Sequence, residues 1–225
     1  MRLAANAGTP IVSLVMKVRS DILIQSHGKT LVVIGDRTAG EVRESAEAMG
    51  TFSRVLSYYF DTDTLDDFVS SLGVGSPAFI VGIAEPGLKR EIAEALGSRG
   101  WEPATVVDPT AHIAPSAKLG RGCFIAPGAA ISTNAVVGDH CIAHIHCSVG
   151  HDARVADYSA VLPGARLSGG VAVGANSIVG TNAFLGAGVA IGQDCRIDAL
   201  AYVASDLPDR HIASPRLEKP IRRVV

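Results

Sequence analysis

The chain has 225 residues and a net charge of −2, and 48% of it is hydrophobic although only 5% is aromatic. The absence of any strongly basic block argues against nucleic acid as a partner. No apolar run is long enough to cross a bilayer, and "PIVSLVMKV" lacks a cleavage site, so no membrane insertion and a cytoplasmic location are expected.

In chain order, residues 1–28 form a leader to which nothing is assigned. "TLVVIGDRTAGEVRESAEAMG" reads as a buried strand, a glycine turn and an amphipathic helix from about Glu41 to Met49. "RVLSYYF" reads as a second strand and "DTLDDFVSSL" as a short helix. "PAFIVGIAEPGLKREIAEALGSRGW" repeats the plan, with a strand over Ala78–Val81 and a helix from about Pro86 to Ser98. "PATVVDPTAHIAP" carries a further strand into the second half. Alternating strands and helices predict a small Rossmann-like parallel α/β domain over residues 29–108, ending near Asp108–Pro109. The turn from Gly35 to Gly40, with Arg37 as a cation, has the form of a phosphate cradle at a helix N-terminus. Any strand–helix unit can carry such a turn for geometry alone.

From Ile113 onwards the sequence keeps a period of six. The positions 113, 119, 125 and so on to 203 are Ile, Leu or Val in fifteen of sixteen cases, Ala143 being the exception. Glycine or alanine often follows the aliphatic residue, and a small or β-branched residue stands four places after it. Neither a helical nor an alternating pattern holds such a phase for ninety residues. A solenoid with a bend every six residues does. The expectation is a left-handed parallel β-helix of hexapeptide repeats over residues 109–207, with three hexads to a coil, and a tail over 208–225. Cys123, Cys141, Cys147 and Cys195 all fall on the small corner position, where a thiol serves as a small buried hydrophobe.

The same frame places His144, His146 and His151 off the inward positions. A histidine held outward is either solvated or functional. His151 precedes Asp152, and imidazole titrates near neutrality, as a general base should. Adjacent strand residues point to opposite faces, so the frame alone does not bring Asp152 onto His151 within one chain.

A small Rossmann-like domain, then a hexapeptide β-helix carrying "HIHCSVGHDARVADYSAVLPGARLSGGVAVGANSIVGTNAFLGAGV", then the tail "ASPRLEKPIRR" resembles one family over residues 30–223. It is the sialic acid O-acetyltransferase group, which includes nucleotide-linked amino-sugar N-acetyltransferases. The resemblance implies a homotrimer with acetyl-CoA as co-substrate between adjacent β-helices and a sugar or sugar nucleotide on the N-terminal domain. It implies His151 as the base with Asp152 beside it, and pantetheine contacts around Gly169 and Thr181. It implies acceptor binding by Gly35, Asp36, Arg37 and Gly40, and by His144. Four positions depart from the family pattern. Ala39 replaces a histidine in the glycine turn, His144 an asparagine, Gly150 an acid, and Ala160 a second histidine that contacts acetyl-CoA in some members.

Two other readings compete with acyl transfer. One is a non-catalytic trimeric scaffold, motivated by those departures. The other is a metal hydratase like the gamma-class carbonic anhydrases, which share the β-helix and bind zinc through three histidines. "HCSVGH" supplies two, and His112, at the domain junction, is the nearest third.

Overall fold

The structure is a computed structural model that describes residues 28–35, 38–59, 70 and 77–223. The leader up to residue 27, Asp36, Arg37 and all of the "DTLDDFVSSL" segment but Ser70 lie outside the described residues.

Four parallel strands, β1 (Thr30–Gly35), β2 (Arg54–Tyr59), β3 (Ala78–Gly82) and β4 (Glu102–Pro103), form a sheet in the order β2-β1-β3-β4. Residues of β1 alternate between its faces, as the pleat requires. Leu31 and Val33 pack towards helix α1 (Thr38–Met49), Val32 and Ile34 towards helix α2 (Pro86–Ser98). Both faces are covered, which is why β1 and β3 read as unbroken apolar runs. Helix α2 begins where the sequence places it because Glu85 caps it, accepting the Leu88 N–H at 2.7 Å, and Pro86 opens the first turn. Helix α1 begins at Thr38, three residues before the predicted start, so Gly40 lies inside its first turn instead of in a loop.

The rest of the chain is a left-handed β-helix of about six turns. Every one of the sixteen hexad positions ends a two-residue strand, from His112–Ile113 to Tyr202–Val203. Strands eighteen residues apart pair in parallel, as Val136–Val137 does with Arg154–Val155, and build three flat sheets of eight, six and five strands. The aliphatic residues fill the interior together with the corner residues, including all four cysteines, which are free and buried. Burial pushes the Cys141 and Cys147 thiols up to about 12, so they stay protonated and inert.

From residue 122 to residue 200, each corner bends through a residue with positive φ. Glycine takes that place at Gly122, Gly128, Gly164 and Gly170, and polar residues take it at Asn134, His140, His146, Asp152, Asn176 and Asn182. Asn, Asp and His are the side chains that tolerate this region best.

The solenoid starts earlier than the repeat suggests. Val106–Val107 already pairs with Phe124–Ile125 in the eight-stranded sheet, ahead of the boundary expected near Asp108–Pro109. It also ends later. His211–Ala213, in the predicted tail, pairs with Arg196–Ile197 after a coil of sixteen residues, and Ile221–Arg222 folds back antiparallel on it.

The α/β lobe sits on the eight-stranded face of the solenoid. Phe124, Ile142 and Ala160, which point out of that face, share a core with Leu31, Val33, Val42 and Ile80. Lys89 of helix α2 is fully buried there and donates to the His140 carbonyl at 3.0 Å.

Candidate active site

The three corners of the solenoid differ in what they carry and what covers them. His151 and Asp152 form the corner between the six-stranded and five-stranded sheets, between Ser148–Val149 and Arg154–Val155. That corner is opposite the face occupied by the lobe. The His151 and Asp152 side chains are 69% and 59% exposed, and Nδ1 of His151 lies 2.8 Å from Oδ2 of Asp152. Opposite-facing strand neighbours could not make this contact. The two residues are turn residues, and Asp152 has φ of 59°, which swings its carboxylate back onto the imidazole of its own chain. The carboxylate holds its proton less tightly than usual, first through the His151 hydrogen bond and then through one from Asn134. A carboxylate accepts, so Nδ1 carries the proton and Nε2 is left with its lone pair exposed.

Gly169 stacks one coil beyond His151. A Cβ at 169 would stand 2.3 Å from Nε2 of His151, so the space above this glycine is filled by the imidazole itself. Only glycine lets the ring lie there.

Thr181 is on a different corner. With Gly128, His146, Gly164, Asn182 and Arg166 it lines an open groove of about 590 Å³ along the corner between the eight-stranded and six-stranded sheets. Arg166 spans the groove's side and donates to the His146 carbonyl. Gly169 and Thr181, expected to share one ligand, are therefore separated within one chain by the six-stranded sheet.

His144 opens the groove corner where it meets the lobe, and it is buried, not solvated, with 8% of its surface exposed. Its outward position on the solenoid is an inward position once the lobe is in place. The ring meets Phe124 edge-on at 6.5 Å. Its Nδ1 accepts the Ile145 N–H at 2.9 Å and lies 3.6 Å from Oε2 of Glu41 in the first turn of α1. Burial lowers its proton affinity more than the Glu41 carboxylate raises it, so the ring is neutral at pH 7. Oε2 of Glu41 is buried without a hydrogen-bond partner.

Gly35 ends β1 beside Gly82, and a Cβ there would stand 2.8 Å from the Gly82 carbonyl oxygen, so strand-to-strand approach alone requires this glycine. Gly40 faces open space. Ala39, where the family pattern has a histidine, is fully buried against the sheet. The structure thus assembles two groups: His151, Asp152 and Gly169 on one corner, and Gly35, Gly40 and His144 with the groove around the lobe. Sequence reasoning missed Asn134, Glu41, Arg166 and Asn182. Asn134 and Asn182 could have been found by stepping eighteen residues from Asp152 and Gly164. Glu41 gave no signal before the lobe was placed. Among the described residues of one chain, no three His, Cys, Asp or Glu side chains are grouped to hold a metal ion.

The described residues thus form a triangular solenoid of hexapeptide repeats that bears a small parallel α/β lobe and an exposed His–Asp corner. The solved structures it is similar to include a sugar N-acetyltransferase, of the group that the sequence resembles. One is PerB, a GDP-perosamine N-acetyltransferase from Caulobacter crescentus, solved with CoA and GDP-perosamine: 27% identity, TM-score 0.76, covering 86% of this chain and 97% of that one. Another is the acetyltransferase domain of PglB from Neisseria gonorrhoeae, at 24% identity and TM-score 0.79 over 86% of this chain and 100% of that one. That domain has also been solved with acetyl coenzyme A. WeeI from Acinetobacter baumannii shares the fold at 18% identity and TM-score 0.75, over 85% of this chain and 100% of its own. No protein-family model and no curated sequence matches the chain. Among the described residues, no helix is long and apolar enough to cross a membrane.

Proposed function

We propose that the chain is an acetyltransferase that moves the acetyl group of acetyl-CoA to the amino group of a nucleotide-linked sugar, with His151 as general base. The observation that carries this reading is the His151–Asp152 pair, 2.8 Å apart on an exposed solenoid corner. With the Nδ1 proton fixed by the carboxylate, Nε2 takes a proton from the acceptor amine as its nitrogen attacks the thioester carbonyl. The C–N bond forms, the C–S bond breaks, and the imidazolium returns its proton to the departing thiolate. A backbone N–H at a glycine corner is the donor for the oxyanion. The N-acetyl outcome follows the PerB likeness, and the same base serves a hydroxyl acceptor.

The placement of the two residue groups supports a trimer. An acceptor held at the end of β1 and beside His144 is on the lobe side of the solenoid, whereas His151 of the same chain is on the opposite corner. They meet only if His151 of one chain faces the lobe and groove of the next. The groove with Thr181, Asn182 and Arg166 is then the place for acetyl-CoA between two β-helices, and Arg166 a cation for its phosphates. Purified protein should give a scattering mass of about three times the 23.3 kDa chain. With acetyl-CoA and a panel of nucleoside-diphosphate amino sugars, including GDP-perosamine, it should release free thiol. A monomer, or no thiol release across amino and hydroxyl acceptors, overturns the reading.

A further inference from the structure

We propose that Asn134 is a positioning residue for His151, the outer member of a relay that runs from Asn134 through Asp152 to the imidazole. This rests on His151 being the base. Asn134 and Asp152 hold the same left-handed corner position in successive coils, with φ of 57° and 59°. Nδ2 of Asn134 donates to Oδ1 of Asp152 at 3.1 Å, while Oδ2 of Asp152 takes the His151 Nδ1–H at 2.8 Å. Each carboxylate oxygen therefore has its own donor, and the group cannot turn about its Cβ–Cγ bond without breaking one of the two bonds.

The relay is anchored at its far end as well. The backbone N–H of Asn134 donates to Oγ of Ser116, one further coil back, at 3.0 Å, and the N–H of Asp152 donates to the Thr133 carbonyl at 2.9 Å. The solenoid backbone fixes these distances. That matters because exposed hydrogen bonds between free side chains are individually weak and depend on preorganisation to hold one geometry. With the carboxylate locked, the imidazole is set from two sides: Nδ1 by Asp152, and the Nε2 edge by the bare Cα of Gly169. Asparagine at a left-handed corner has a conformational explanation too, but glycine and aspartate suit that corner as well. Only asparagine adds a donor without a charge.

Two variants separate the roles, because both keep the corner. Asn134→Gly removes the donor, and Asn134→Asp replaces it with a second carboxylate beside Asp152. In Asn134→Gly, kcat should fall by about tenfold, with the KM for acetyl-CoA and the melting temperature unchanged. In Asn134→Asp, the added negative charge should move the acidic limb of the pH–rate profile to higher pH by about one unit. The titration midpoint of the His151 Cε1–H resonance in the ligand-free protein should move with it. That resonance needs no substrate, so the relay and the acetyltransferase reading fail separately. A midpoint that is the same in wild type and Asn134→Asp overturns the relay, even in an active enzyme. A shifted midpoint in a protein that acetylates nothing sustains the relay and discards the acceptor chemistry. An Asn134→Gly variant with wild-type kcat also overturns it.

Discussion

Asp139–His140 and His151–Asp152 are corners of one solenoid, each an acid beside a histidine, and the lobe makes them different groups. At the first, the histidine takes the left-handed position, with φ of 54°, and lies over Gly122. There it is sandwiched between Phe79, at 6.2 Å, and Tyr158, at 5.0 Å. Its Nδ1 is buried without a partner, and burial lowers its proton affinity more than Asp139 raises it. At the second, the acid takes the left-handed position and the histidine side chain is 69% exposed. The same two residue types in reverse order give a neutral packing ring at one corner and an exposed, carboxylate-paired imidazole at the other. What a corner carries does not decide its chemistry; what lies over it does.

The sharpest way to break that contrast is to remove the rings. His151→Ala should lower kcat by roughly 10²–10⁴, the usual loss for a general base, with acetyl-CoA affinity and melting temperature unchanged. His140→Ala should do the reverse, lowering the melting temperature while the enzyme that remains folded turns over normally. Steady-state kinetics beside calorimetry would show it, and equal effects of the two variants on kcat would dissolve the distinction.

A smaller step displaces the ring instead of deleting it. The atom that a Cβ at Gly169 would strike is the far end of the His151 side chain, not backbone. Gly169→Ala should therefore fold normally and swing the imidazole aside, lowering kcat by about 10²-fold, the scale of an ångström-level misplacement. A drop in melting temperature with kcat unchanged would mean that the ring does not occupy that space.

A last effect, on stability and not on turnover, concerns the covered corner. Burial lowers Lys89 from 10.5 to about 8. The unfolded chain keeps this proton up to 10.5 whereas the folded protein releases it near 8, so the stabilising contribution is complete above 10.5 and is lost as pH falls to about 8. The gap corresponds to about 3 kcal/mol. Wild type minus Lys89→Met should show this rise in unfolding free energy between those two pH values, measured by chemical denaturation. A flat difference would mean that water reaches the ammonium.

How much of this was legible in the sequence follows from which contacts are local. Periodicity placed all sixteen hexad strands, because each aliphatic residue reports its own inward direction without reference to the lobe. Helix α2 was legible because its start is written in Glu85 and Pro86. The Asp152–His151 contact was not, since a strand-like reading of adjacent residues omits the left-handed turn between them. The burial of His144 was not legible because solenoid phase, which reads it as outward, is silent about a second body on the outer face. The start of the solenoid was legible in principle, since Val107 stands six residues before Ile113, but Val106–Val107 reads equally well as the last strand of the α/β domain. The position of Asp36 and Arg37, and any part they have in holding an acceptor, remains an expectation of the sequence alone.

The two ends of the solenoid have a bearing on the behaviour of the protein at high concentration. A stack of parallel strands offers at each end a rim of unpaired backbone groups, onto which another copy could add and so grow a fibre. At the first coil the Val107 N–H is taken by Sδ of Met49 at 3.3 Å, and Oδ2 of Asp108 by the Ser45 hydroxyl at 2.7 Å, both from helix α1. At the last, the sixteen-residue coil breaks the eighteen-residue register, and the antiparallel return of Ile221–Arg222 on His211–Ala213 presents the wrong strand direction to a newcomer. On the eight-stranded face, both rims are thereby closed to end-to-end pairing. The short coil and its reversed strand act as a chain terminator for polymerisation.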